Sequence, residues 1–434
     1  MYWNKDVETA SRAKIRDIQL ENLKKCVKRV YEKVPLYKQK FDETGIKPED
    51  IKTLDDLAEI PFTYKDDLRD TYPFGMFAVP KKEVVRVHAS SGTTGKPTVV
   101  GYTKADLKMW AEVMSRLCVA GGASDEDTAQ ISFGYGLFTG ALGLHYALEN
   151  IGAAVVPISS GNTEKQIMLM RDFETTVLIA TPSYALYISE VMAKMGVDPK
   201  RDLKLKYGLF GAEASTEEMR RELEERLNIT ATENYGLSEI IGPGVSGECT
   251  HKCGMHINED HFIVEIIDPV TGEVLPEGEQ GEVVISAVTK EALPILRYRT
   301  KDISRLIPDK CSCGRTLMRM EKIKGRSDDM LVIRGVNVFP SQIEEVLLKS
   351  QDVEPHYEII VTRENWLDQL EILVEIADAS FLENYAKLEG LQNGIRAKLR
   401  SVLSIDAKVR LVQPNTLKRF QGKAQRVTDL REQK

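Results

Sequence analysis

Apolar residues recur at three- and four-residue steps through Leu20, Leu23, Val27, Val30 and Val34, which predicts an amphipathic helix over 12–34, packed on one face and ended by Pro35. Cys26 falls inside that helix, where a thiol is small core filler. From about residue 84 short β-branched runs alternate with helical patterns, at 84–87, 104–120, 153–156, 163–172, 177–180, 183–195 and 205–210. That rhythm predicts an α/β unit. Ser215 followed by Glu218 has the form of a capping box, so a helix should start with Ser215 as its cap and bury Met219, Leu223 and Leu227.

After residue 260 the pattern changes. Segments 262–267 and 282–288 read as strands separated by the turn-rich Asp268-Pro269-Val270-Thr271-Gly272-Glu273, with no long helix between them. They predict a β-rich subdomain over about 245–325. Beyond Gly325 a strand at 330–333, a helix at 341–350, strands at 357–362 and 370–376, a helix at 383–403 and a strand at 407–412 predict a small α+β domain. The expected division is therefore 1–327 and 328–434, with no internal repeat or low-complexity tract.

Composition narrows the function classes. A chain of 434 residues, 42% hydrophobic and 29% charged with net charge −7, has the balance of a globular protein and lacks the basic footprint of a nucleic-acid binder. The exception is 401–434, where eight Lys/Arg face three Asp/Glu. No apolar run reaches the roughly eighteen residues of a membrane span, and the N-terminus has no apolar core with a cleavage site, so no membrane partner and a cytoplasmic location are expected. Six cysteines are too few for a disulfide scaffold, and four of them fall in two close groups, Cys249/Cys253 and Cys311/Cys313, a clustering that suggests a metal.

The segment richest in chemistry is Ser90-Ser91-Gly92-Thr93-Thr94-Gly95-Lys96-Pro97-Thr98. Its glycines let backbone N–H groups close around an anion, its hydroxyls add donors, and Lys96 adds charge, which points to ATP phosphates. The spacing is not that of a Walker A loop. Four further segments join it. Gly211-Ala212-Glu213-Ala214 follows a strand where small residues let a flat adenine lie against backbone. Asn234-Tyr235-Gly236-Leu237-Ser238-Glu239 places an aromatic and a carboxylate around a glycine, with Glu239 a candidate holder of Mg²⁺ on the triphosphate. Asp302 closes Tyr298-Arg299-Thr300-Lys301-Asp302 and can accept both hydroxyls of a ribose. Gly325-Arg326-Ser327-Asp328-Asp329-Met330 lies at the domain boundary, where Asp328 is a sensible hinge.

With these five segments in order, nearly the whole chain resembles the acyl-adenylate-forming superfamily of acyl-CoA synthetases, luciferase-like enzymes and peptide-synthetase adenylation domains. Within it the chain is most similar to the phenylacetate-CoA ligase branch, through His88 to Thr98, Phe133-Gly134-Tyr135-Gly136-Leu137-Phe138-Thr139-Gly140, the motif at Tyr235 to Glu239, and Arg334 to Glu344. The resemblance implies a large N-terminal adenylate-forming domain and a mobile C-terminal lid. It implies ATP, Mg²⁺ and coenzyme A in a two-step ligation: an acid attacks the α-phosphate and expels pyrophosphate, then the thiol of coenzyme A displaces AMP. It assigns catalysis to Lys423, Glu239 and Thr93, keeps Asp302 and Arg326 on the nucleotide, and makes phenylacetate or a close arylacetate the expected acid. Indoleacetate or benzoate-like acids, or a non-catalytic nucleotide-binding relative, are the alternatives. Tyr135, Phe138, Tyr235 and Gly236 are the expected neighbours of the aryl ring. Similarity also favours Cys249, His256, Cys311 and Cys313 as ligands of a structural Zn²⁺, with Cys253 or His251 able to replace one of them. A homodimer is compatible with the resemblance.

Overall fold

The computed structural model describes residues 1–90, 97–137, 139–213, 215–327, 331–334, 336–364, 367–379, 381, 385–403, 405–420 and 424–431. Ser91 to Lys96, Phe138, Asp328 and Lys423 therefore lie outside the described residues.

The first long helix runs Arg12–Lys33, capped by the Ser11 hydroxyl, which accepts from the Lys14 N–H. Its inward face is Ile15, Gln19, Leu23, Cys26, Val27 and Val30. Pro35 does more than end it: Pro35 is the first residue of a second helix, Pro35–Thr44, a position where a missing N–H costs nothing.

The centre of the body is a nine-stranded sheet among the described residues. Five of its strands are parallel and ordered Thr230–Leu237, Tyr207–Gly211, Val177–Ala180, Thr128–Ile131, Ala154–Val156. Helices Lys104–Ala120, Gly140–Ile151, Thr163–Asp172, Pro182–Lys194 and Glu217–Leu227 belong to this α/β part. Val177–Ala180 is buried at every position, as expected of a strand covered on both faces. The last of those helices starts one residue later than the capping-box reading: Thr216 is its N-cap, accepting from the Met219 N–H, while the Ser215 hydroxyl turns to Glu233. A hydroxyl on either residue satisfies the sequence pattern; the carboxylate on the neighbouring strand decides between them.

The stretch at 245–325 is divided between two sheets. Gly242–Glu248, Met255–Ile257, Arg319–Met320 and Leu306–Ile307 extend the main sheet with antiparallel strands, whereas Phe262–Ile267, Gly281–Ala287, Ile295–Ser304 and Gly325–Arg326 form a four-stranded sheet of their own. Asp302 thus sits within a strand. The C-terminal part has a separate apolar core around Ile343, Ile359, Ile372, Leu399 and Val409, built on a sheet of Lys408–Val412, Leu367–Ile376, Val353–Glu364 and Val427–Asp429 with helices Pro340–Leu348 and Tyr385–Leu403. Among the described residues no helix is long and apolar enough to cross a membrane.

Candidate active site

Strands Arg86–Ala89 and Val99–Tyr102 pair antiparallel and present residues 90–98 as their connecting loop. The described base of that loop is pinned: Ser90 N–H donates to the Thr98 carbonyl at 3.0 Å, and Thr98 N–H donates to Ser90 Oγ at 3.1 Å. Thr98 Oγ1 lies 2.7 Å from Ser90 Oγ and 3.4 Å from Glu239 Oε1. Glu239 is itself buried, with Lys65 Nζ 3.6 Å from the same oxygen. A carboxylate therefore stands at the foot of the glycine-rich loop, where it and a hydroxyl could share a divalent cation with phosphate oxygens. Lys65 and Thr98 were not assigned such roles from sequence, because neither lies in a motif with Glu239.

Beside the loop, the carboxyl ends of the parallel strands form a shelf, the place where open α/β sheets bind ligands. Gly211 ends its strand opposite Asn234, and a Cβ there would approach the Asn234 carbonyl to 2.6 Å, so only glycine fits. Ala212 follows in the left-handed region at φ 71°. Asn234 Nδ2 donates to the Phe210 carbonyl at 2.7 Å and locks the two strand ends together. Tyr235 donates its hydroxyl to Asp302 Oδ2 at 2.6 Å, and Arg326 Nη1, paired across the sheet, lies 3.5 Å from Oδ1. Burial, and then the neighbouring Asp302, push the Tyr235 phenol well above its ordinary range, so it stays a neutral donor. Glu213 joins two parts of the chain: one carboxylate oxygen accepts from Ser183 N–H at 2.6 Å and the other from Ala424 N–H at 2.8 Å.

The shelf opens into a cavity of about 100 Å³. Gly211, Ala212 and Asn234 line its end at the shelf, while Phe133, Thr139, Gly140, Leu144, Gly236, Leu237, Ser238, Gly242 and Pro243 form the rest. Gly236 is a wall because the chain returns close against it, a Cβ there meeting the Gly242 carbonyl at 1.9 Å. Of the aromatic residues expected around the ring, Tyr235 turns its hydroxyl to Asp302, and Tyr135 places its hydroxyl 3.0 Å from His145 Nδ1; neither lines the cavity. Phe133, Leu144 and Pro243 do, and the apolar spacing of the helix Gly140–Ile151 was the available signal for Leu144.

A second cluster gathers Cys249, His256, Cys311 and Cys313, whose ligand atoms all lie within 4.8 Å of one another. Cys249 and Cys311 sulfurs are 3.7 Å apart, and Cys313 Sγ is 3.4 Å from His256 Nε2. A disulfide would bring sulfurs to about 2.05 Å. Tetrahedral Zn–S bonds of about 2.3 Å place two sulfurs about 3.8 Å apart, so the donor set fits a closed zinc site. Arg315 N–H donates to Cys313 Sγ at 3.4 Å, and Tyr2 donates its hydroxyl to the Cys313 carbonyl at 2.9 Å. Cys253 is exposed with its sulfur 3.1 Å from the His251 carbonyl, and His251 Nδ1 lies 2.9 Å from Ser312 Oγ, so neither alternative ligand points into the cluster.

Comparison with known proteins gives the family. The AMP-binding enzyme family matches residues 8–289, and the AMP-binding enzyme C-terminal domain matches 335–431. Phenylacetate-coenzyme A ligase of Pseudomonas putida is 52% identical over 98% of this chain and 96% of its own length, and the enzyme of that name from Thermus thermophilus is 50% identical over 99% and 100%. Among solved structures, 2-hydroxyisobutyryl-CoA ligase in the postadenylation state in complex with R3-HIB-AMP superposes with a TM-score of 0.94 at 28% identity, covering 100% of this chain and 93% of that one. The same ligase in the thioesterification state, with 2-HIB-AMP and CoA, scores 0.74 at 29% identity over 99% and 93%. The described arrangement of the two parts is thus more similar to the postadenylation-state structure than to the thioesterification-state one. With both domain models in chain order and relatives half identical end to end, the chain belongs to the phenylacetate-CoA ligase family of AMP-binding, adenylate-forming enzymes.

Proposed function

We propose that this chain joins phenylacetate to coenzyme A, using ATP and releasing AMP and pyrophosphate. The observation that carries the choice of acid is the cavity: it is mostly apolar, about 100 Å³, and opens at the shelf of Gly211, Ala212 and Asn234. The space is smaller than the roughly 150 Å³ dry cavity that holds benzene, so it admits at most a single ring, whose carboxylate would project toward the nucleotide, and is small for an indole.

In the first step the phenylacetate carboxylate attacks the α-phosphorus and pyrophosphate leaves. Two anions must meet, so the backbone N–H groups and Lys96 of the loop would hold the β- and γ-phosphates, with Thr93 beside them. Glu239 would hold Mg²⁺, which when bound neutralises triphosphate charge. Asp302 accepts the ribose hydroxyls, with Tyr235 and Arg326 fixing its orientation, and the adenine lies along Gly211 to Glu213. Lys423 would reach the carboxylate and α-phosphate oxygens. What supports that placement is the anchoring of its neighbour: Ala424 N–H is tied to Glu213, two residues from Gly211 on the shelf. Rotation of the lid about Asp328 would then withdraw Lys423 and admit the thiol of coenzyme A. The cysteine–histidine cluster would hold a structural Zn²⁺, since four protein donors leave no open position.

The test is acid-dependent pyrophosphate release over phenylacetate, indoleacetate and benzoate, each with and without coenzyme A. Phenylacetate should give the highest kcat/KM and a thioester. Preference for indoleacetate would overturn the choice of acid, pyrophosphate without thioester would overturn the acceptor, and no release with any acid would leave a nucleotide-binding relative.

A further inference from the structure

Lys290 is buried to 1% exposure in the apolar core, an expensive place for an ammonium group that an apolar side chain would fill at lower cost. Its Nζ donates to the Ile240 carbonyl at 2.8 Å and sits 4.4 Å from the centroid of the Tyr102 ring. Tyr102 donates its hydroxyl to the Ile241 carbonyl at 2.9 Å and stacks on Trp110, with ring centroids 5.1 Å apart and planes inclined by 16°. Trp110 Nε1 donates to the Pro243 carbonyl at 2.7 Å, and its ring lies so close to Gly242 that a Cβ there would approach it to 2.8 Å. His88 stands edge-on to both rings.

One column of side chains thus grips the carbonyls of Ile240, Ile241 and Pro243. That gripped segment has Glu239 at one end and the Gly242–Pro243 wall of the acid cavity at the other. The column draws on three parts of the fold: Tyr102 ends the strand that follows the phosphate loop, Trp110 lies on the helix Lys104–Ala120, and Lys290 follows the strand Gly281–Ala287. Asp106 on the same helix accepts from the N–H groups of Glu291 at 2.6 Å and Ala292 at 3.0 Å, so the backbone that carries Lys290 is fixed as well.

We propose that Lys290, Tyr102 and Trp110 are positioning residues that each hold one point of the segment running from the carboxylate of Glu239 to the wall of the acid cavity. Lys290 and Tyr102 thereby set the Mg²⁺–ATP end, and Trp110 sets the depth of the cavity. The inference rests on the proposed ligase reading, which supplies the roles of the two ends. Burial draws the Lys290 ammonium down to about 7 against the attraction of Asp106 and Glu239, which agrees with a group held for its contacts and not for solvation. The charged and titratable groups that face it are Asp106, Glu239, Tyr102 and His88.

Three full-length variants test the division of labour. Acid-dependent ATP–pyrophosphate exchange is measured against Mg²⁺–ATP and against acid, together with transfer from supplied phenylacetyl-adenylate to coenzyme A. Leaving the buried Ile240 carbonyl without its donor in Lys290→Met should lower exchange or raise the Mg²⁺ requirement on the order of ten- to a hundredfold, leaving the acid KM and the transfer step unchanged. Tyr102→Phe deletes one hydroxyl without changing volume and should move the same quantities by about fivefold; it carries the test if Lys290→Met does not fold. Trp110→Phe should leave the ATP KM alone, raise the KM for phenylacetate, and shift preference toward 3-phenylpropionate. Parallel loss of ATP and acid parameters in all three, or no change in any, would overturn the proposal. Absence of exchange in the wild type would instead count against the ligase reading; calorimetric binding of Mg²⁺–ATP to wild type and Lys290→Met would then decide the positioning role alone.

Discussion

Glu213→Gln should separate the two half-reactions by exchanging one heavy atom. In the described pose each oxygen of Glu213 accepts one backbone N–H, from Ser183 at 2.6 Å and from Ala424 at 2.8 Å. A glutamine keeps one acceptor and turns an NH₂ group toward the other N–H. Ser183 belongs to the helix Pro182–Lys194 of the body and cannot retreat, so the amide oxygen should settle there and Ala424 should lose its partner. A hydrogen bond to a charged group contributes about 1.5–3 kcal/mol when buried. Glu213 is half-buried, so solvent screening reduces this to about 1–2 kcal/mol. Only the pose that presents residue 424 to the shelf suffers the loss, so that pose should become about five- to thirtyfold rarer. Stopped reactions would follow phenylacetate-dependent ATP–pyrophosphate exchange and, separately, transfer from phenylacetyl-adenylate to coenzyme A. Exchange should fall by that factor while transfer is unchanged or faster, and Lys423→Ala should show the same split with a larger loss. Equal slowing of both halves, or full exchange activity, would refute the reasoning.

Asp302→Asn should raise the KM for ATP about ten- to a hundredfold with little effect on the acid KM, because it removes a charged acceptor from Tyr235 and, in the proposed reading, from the ribose; steady-state kinetics with ATP varied checks this. Metal analysis should find about one zinc per chain, lost with a fall in melting temperature in Cys311→Ser; well under one zinc with unchanged melting would remove the site. Lys290 also makes stability depend on pH. Its folded value of about 7 lies below the ordinary 10.5, so between those values the unfolded chain holds the extra proton and stability from this group rises with pH. Urea unfolding at pH 7 and pH 9 should show that rise in the wild type, and Lys290→Met should remove it.

Much of the fold was legible because its elements are locally self-consistent. The helices at 104–120 and 163–172 and the strands at 177–180 and 262–267 carry their own periodicity, and each appears with the expected ends. The strand Thr128–Ile131 gives no such signal: with Thr128 and Gln130 between Ala129 and Ile131 it is short and mixed, and its place in the sheet comes from pairing with Ala154–Val156 and Val177–Ala180. The division of the 245–325 region between two sheets was equally invisible, since alternation marks a strand without naming its partner. At the site, residues in compact motifs such as Gly211, Gly236 and Glu239 could be picked out, whereas Thr98, Lys65, Leu144 and the Lys290 column acquire meaning only where distant segments meet.

The way the two parts of the chain are joined fits a reaction that needs two poses. Each has its own apolar core, and the described contacts between them are chiefly polar: Glu213 with Ala424, Arg426 with Ser183 at 3.1 Å, Arg226 with Glu354 at 3.0 Å, Arg419 with Glu190 at 3.2 Å, and Lys349 with Glu218 at 3.4 Å. Leu348 adds a partly buried apolar contact against the body. Partly exposed pairs of this kind contribute only about 0.2–1 kcal/mol each. An apolar interface of the same extent would hold the lid in one place. Polar ties let water replace each lost partner, so the proposed departure of the lid would expose little hydrophobic surface beyond Leu348.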